Sequence, residues 1–124
     1  MALPVIFVVD DDASIRRAVR RLLLSLQLPV QMFGSAEEFL ANVNSDARGC
    51  VVLDVRLPGM SGLQLQQRLC DEEWQLPVIF ITAHDDGDSR DVALRKGATA
   101  YLRKPFDRAQ LLSSIHRALD HPAT

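Results

Sequence analysis

The stretch Cys50-Val51-Val52-Leu53-Asp54-Val55-Arg56-Leu57-Pro58-Gly59-Met60-Ser61-Gly62 decides the fold. Its opening run, Cys50 to Leu53, reads as a strand buried on both faces, and Pro58-Gly59 marks a tight loop just behind it. An aspartate closing such a strand has no packing use. In an open α/β sheet the carboxyl ends of strands are where ligands bind, so Asp54 is the first candidate for chemistry.

Working outward, four more apolar runs read as strands buried on both faces: Val5–Asp10, Val30–Phe33, Val78–Thr82 and Ala100–Arg103. Helix-period segments lie between them. The clearest sets Ile15, Ala18, Val19, Leu22, Leu23 and Leu26 on one face and Arg16, Arg17, Arg20 and Arg21 on the other. Helix starts are signalled by Asp12, by Ser35 with Glu38 as a capping box, and by Asp107 with Gln110. Gly97 is placed to end the fourth helix in a left-handed turn. Strands alternating with helices give five βα units, hence a mostly parallel, three-layer α/β sandwich.

The 124 residues suit one domain that folds without staples. Fourteen basic against 16 acidic side chains leave a net charge of −2, which gives no electrostatic pull toward DNA or an anionic membrane. The apolar runs are too short to span a bilayer, and the N-terminus has no charged region before an apolar one, so a cytoplasmic protein is expected. Cys50 and Cys70 form no metal or redox motif and read as small core residues. Trp74 is expected to pack the end of the third helix, and Met32 and Met60 to fill core and loop.

The strand ends carry the chemistry. Strand one runs into Asp10-Asp11-Asp12, beside the edge that receives Asp54. Crowded carboxylates repel, and such clusters persist when a hard divalent cation neutralises them. Strand four delivers Thr82 and strand five Lys104. Carboxylates for a metal, a nucleophilic carboxylate, a hydroxyl and a lysine together suit phosphoryl transfer onto an aspartate. Singly, each has a plainer reading. Asp12 is better read as a helix N-cap than as a ligand, Thr82 serves as a strand-end residue, Lys104 as a snorkelling surface lysine, and Pro58-Gly59 and Pro105 as turn formers. The coincidence of four such strand ends favours the functional reading.

On the acidic pair Asp10-Asp11, the run from Leu53 to Gly62, Ile81-Thr82-Ala83, Gly97-Ala98 and Lys104-Pro105-Phe106, the chain resembles the receiver domain of bacterial two-component response regulators, the CheY-like superfamily. The likeness covers residues 4–119, and the wording around Asp54 and Lys104 looks most like the FixJ branch. It implies a doubly wound, flavodoxin-like sheet of order 2-1-3-4-5 flanked by five helices, and a single receiver domain over residues 1–124 whose last five residues begin a linker or tail.

By the same resemblance, Asp54 accepts a phosphoryl group from a phosphohistidine on a sensor histidine kinase. Asp11, Asp54 and the backbone carbonyl of Arg56 ligate Mg²⁺, with Mn²⁺ as a substitute, and Asp10 acts through a water. Lys104 pairs with phosphoryl oxygens, Thr82 binds the transferred group, and the Lys104-Pro105 bond is cis. Thr82 movement lets Tyr101 turn inward and alters the face of the fourth helix, fifth strand and fifth helix, where Asp91, Arg95, Lys96, Arg103, Gln110, Ser114 and Arg117 stand. That face is expected to form a homodimer or hold an effector, although each charge on it also reads as solvated helix surface. Arg56 and His84 tune the lifetime of the acyl phosphate, unless His84 is simply an exposed loop residue. The resemblance further implies a parent transcriptional regulator with a LuxR-type helix-turn-helix, no nucleic-acid binding by this chain itself, and no catalysis beyond its own phosphotransfer and autodephosphorylation.

Three rival readings use the same residues. A haloacid-dehalogenase-type aspartyl phosphatase would place its nucleophile on the first strand and need an acidic pair after Lys104, where only the separated Asp107 and Asp120 remain. A pseudo-receiver that acts without phosphorylation is disfavoured by the intact Asp10, Asp11, Asp54, Thr82 and Lys104. A flavin-binding role lacks a Ser/Thr/Gly-rich phosphate loop after strand one.

Overall fold

The computed structural model describes residues 3–83 and 87–120. Five strands, β1 (Val5–Val9), β2 (Val30–Phe33), β3 (Gly49–Asp54), β4 (Val78–Thr82) and β5 (Ala100–Arg103), alternate with α1 (Ala13–Leu23), α2 (Ala36–Asn42), α3 (Gly62–Asp71), α4 (Gly87–Arg95) and α5 (Arg108–Asp120). All neighbouring strands pair in parallel, in the order β2-β1-β3-β4-β5. This is the order that the resemblance implied.

Alternation along the strands divides the core in two. Phe7, Val9, Val51, Leu53 and Phe80 face one way and meet Phe39 of α2, Leu65 and Leu69 of α3, Trp74 and Ala93 of α4. Ile6, Val8, Cys50, Val52, Ile79 and Ile81 face the other and meet Val19 and Leu23 of α1 with Leu111, Ile115 and Ala118 of α5. Phe39 is fully buried, with ring centroids 5.6 Å from Phe7, 5.5 Å from Phe33 and 5.8 Å from Trp74. Trp74 thus does more than close the end of α3, since its ring joins the central aromatic cluster.

The helix starts follow the capping chemistry read from the sequence, with one change. Asp12 accepts from the Ser14 N–H, and Asp107 and Gln110 cap each other reciprocally. Ser35 accepts from the Glu38 N–H, but the Glu38 carboxylate reaches the Gly34 N–H at 3.4 Å. A full box, unremarked in the sequence, forms between Ser61 and Gln64 at the start of α3. Gly97 takes φ of +95° just after α4, as expected.

Four expectations need correction. The first helix stops at Leu23, because the chain tightens into a 3-10 turn over Leu24–Leu26 that ends in left-handed Gln27. The edge strands are not buried on both faces: Gln31 in β2 and Arg103 in β5 are exposed, since each borders only one neighbour. Cys70 is exposed, while Cys50 is buried in β3 and burial pushes its thiol up to about 12. Ser114, expected on the outer face of α5, is buried and donates to the Gln110 carbonyl.

Candidate functional site

Parallel pairing brings the carboxyl ends of β1, β3, β4 and β5 to one edge of the sheet. Asp10, Asp11 and Asp54 meet there, each with a carboxylate oxygen within 4.8 Å of the others. Asp10 is fully buried, Asp54 nearly so, and Asp11 is open to solvent. The set therefore has an inner wall and an open mouth. Lys104 supplies the counter-charge from beyond β5, with Nζ 2.9 Å from Asp10 and 3.5 Å from Asp54.

Backbone donors hold both inner carboxylates in place. The Asp12 N–H donates to Asp10 at 2.9 Å, and the Arg56 N–H donates to Asp54 at 3.2 Å. Burial and the neighbouring Asp10 charge raise the carboxyl of Asp54 above its ordinary value, while Lys104 and the Arg56 N–H pull the other way. A carboxylate under net destabilisation gains from any cation that enters. The donors here are all oxygens, which suits Mg²⁺ or Mn²⁺ over softer metals. The residues fit a hard divalent ion, with Asp11 at the accessible side.

Thr82 is buried at the end of β4, and its carbonyl accepts from the Lys104 N–H at 2.6 Å. The Lys104-Pro105 bond is cis, as expected. Tyr101 is half-buried on β5 with its ring 6.0 Å from Phe80 and its hydroxyl oxygen shielded from solvent. Asp12 stays out of the cluster as a helix cap, the plainer of its two readings. His84 lies outside the described residues.

Three neighbours of the site were not singled out in the sequence for this work. Gly62 starts α3 so close to β3 that a Cβ there would lie 2.1 Å from the Asp54 carbonyl oxygen. Its N–H donates to the Val55 carbonyl, folding residues 55–62 into a closed loop. Arg16, read as part of a polar helix face, donates to the Asp10 carbonyl at 2.6 Å. Glu37 on α2 accepts from the Met60 N–H at 2.9 Å, which lowers its carboxyl from the ordinary value. Only Gly62 left a signal, as part of the Pro-Gly-x-x-Gly loop.

No helix among the described residues is long and apolar enough to cross a membrane. The family model of the response regulator receiver domain matches residues 6–116. The transcriptional regulatory protein TdiR of Thauera aromatica is 46% identical over 114 residues, covering 92% of this chain and 50% of the relative. The chain spans about half the length of the curated relatives it matches first. Among solved structures, response regulator StyR superposes with a TM-score of 0.89 at 43% identity, covering 96% of this chain and 60% of that one. FixJ-N gives 0.87 at 34% identity, covering 98% and 97%. A match running from β1 into α5 takes in the whole sheet and its acidic edge, and the chain belongs to the response regulator receiver domain family, CheY-like in fold and FixJ-like in sequence.

Proposed function

We propose that this chain is a phosphoacceptor domain that takes a phosphoryl group from a sensor histidine kinase onto Asp54. The observation that carries the reading is one nearly buried carboxylate at the end of the central strand, with two more within 4.8 Å and a lysine bridging the inner pair. An Asp54 oxygen attacks the phosphorus, the P–N bond to the kinase imidazole breaks, and an acyl phosphate remains. Lys104 and the Arg56 N–H work to keep Asp54 anionic and therefore nucleophilic. Asp11, Asp54 and the Arg56 carbonyl would hold Mg²⁺ or Mn²⁺, with Asp10 acting through a water. The bound cation supplies charge neutralisation for the phosphoryl oxygens.

After transfer, Lys104 pairs with phosphoryl oxygens and Thr82 donates its hydroxyl to them. Tyr101, two residues before the exposed Arg103 on β5, links this end of the sheet to the face of α4, β5 and α5. That face presents exposed Asp91, Arg95, Lys96, Gln110 and Arg117, and we assign it to homodimerisation or control of an output domain. Arg56 and His84 are assigned to the lifetime of the acyl phosphate. The chain acts as one receiver domain over residues 1–124 in the cytoplasm, within a regulator that carries a LuxR-type DNA-binding domain. It does not itself contact DNA, and its only catalysis is its own phosphotransfer and dephosphorylation.

Intact mass after incubation with acetyl phosphate, with and without Mg²⁺, tests the reading against Asp54→Asn. One acid-labile phosphoryl adduct that requires Mg²⁺ and vanishes in the variant is expected. An unmodified chain in every tube would leave an interaction module as the better account.

A further inference from the structure

We infer that Glu37 is a positioning residue, holding the loop that follows Asp54 at the distance at which the Arg56 carbonyl can serve a divalent cation. This rests on the reading of Asp54 and Arg56 as metal ligands given above. Glu37 sits in the first turn of α2, and its carboxylate crosses to the Met60 N–H, 23 residues away in sequence, at 2.9 Å. The neighbouring Gly59 packs under the same carboxylate: a Cβ there would lie 2.5 Å from the Glu37 oxygen, and φ of +72° favours glycine independently.

The rest of the loop is tied inward. Val55 donates to Ile81 of β4, Arg56 to the Asp54 carboxylate and Gly62 to Val55. Those bonds fix the two ends of residues 55–62. Glu37 grips the middle from a different helix, so the position of Arg56 depends on α2 as well as on β3. Outer partners of metal ligands set ligand orientation, and their loss weakens metal binding. A hydrogen bond from a backbone N–H to a charged acceptor is of the stronger kind and is directional.

The test is a calorimetric Mg²⁺ titration of this chain against Glu37→Ala and Glu37→Gln, with amide exchange at Met60 followed alongside and urea midpoints as a folding control. Glutamine keeps an oxygen acceptor and removes the charge. We expect Glu37→Ala to weaken Mg²⁺ binding by up to about tenfold, with faster exchange at Met60, and Glu37→Gln to stay within about twofold of the unsubstituted chain. Equal weakening in both variants would mean long-range charge and would overturn the positioning role. So would unchanged binding in Glu37→Ala despite faster exchange at Met60. Absence of Mg²⁺ binding by the unsubstituted chain would overturn the metal-site reading too, which separates that failure from the failure of Glu37 alone.

Discussion

Replacing Lys104 with methionine should destabilise the metal-free domain strongly at neutral pH, and the geometry gives the size. Lys104 Nζ lies 2.9 Å from Asp10 and 3.5 Å from Asp54, so at an effective dielectric of about 20 the two attractions are about 6 and about 5 kcal/mol. The same arithmetic gives at least about 3 kcal/mol of repulsion between two carboxylates no more than 4.8 Å apart, which the lysine now covers. Returning the ammonium to water regains several kcal/mol of hydration. The attractions lost exceed the hydration regained, so the loss should reach at least the range of about 3 to 5 kcal/mol found when one partner of a buried ion pair is removed, a fall in Tm of roughly 10 to 20 °C for a domain of this size. Urea unfolding of both proteins at about pH 7 and about pH 4.5, without divalent cations, measures it. A protonated Asp54 needs no counter-charge, so the loss should shrink as the pH falls. Removing Lys104 also removes two influences that lower Asp54, so the recovery should begin at a higher pH than the parent's own Asp54 titration. A loss under about 1 kcal/mol at neutral pH, or an equal loss at both, would refute the claim that Lys104 neutralises this pair.

Asp54→Asn should stabilise the metal-free domain at neutral pH. Its carboxyl is raised above the ordinary 3.8, so the folded state holds its proton more tightly than the unfolded chain; the native aspartate therefore loses stability as pH climbs from that value through the raised one, and the advantage of asparagine should disappear in acid. Denaturation midpoints of the two proteins across that window check the sign. Gly62→Ala should cost at least about 1 to 3 kcal/mol, since its Cβ meets a backbone oxygen that no side-chain rotation can move, and Mg²⁺-dependent labelling of Asp54 should fall with it. A thiol reagent should label exposed Cys70 promptly in native protein and reach Cys50 only on unfolding, because that thiol is buried and raised to about 12; early double labelling would contradict the packing of β3.

The sheet was legible because β1, β3 and β4 are close to continuously apolar and end abruptly in polar residues. The edge strands misled for the same reason: four-residue runs such as Val30–Phe33 give no clue that one of their flanks lacks a neighbour. At the site, Asp10, Asp54, Thr82 and Lys104 stand at or just past strand ends, where the pattern changes from apolar to polar, and the sequence marks that change. Arg16 and Glu37 stand on helix surfaces, where a charged residue is the ordinary occupant, and nothing in local pattern separates them from Arg17 or Glu38. Their roles come from contacts made to Asp10 and Met60 backbone groups, which periodicity does not carry. Cysteine as a residue type favours burial, whereas the position of Cys70 in the last turn of α3 turns it outward.

The 2.6 Å bond from the Lys104 N–H to the Thr82 carbonyl ties the last residue of β4 to the residue that follows β5. The backbones of Thr82 and Lys104 are consequently joined directly, so neither residue can shift along this edge of the sheet without straining the other. Lys104 leads into Phe106, which packs on the α1/α5 side of the sheet, whereas Tyr101 packs on the opposite side. The joint between β4 and β5 thus stands beside residues that pack on opposite faces of the sheet, one against each layer of helices.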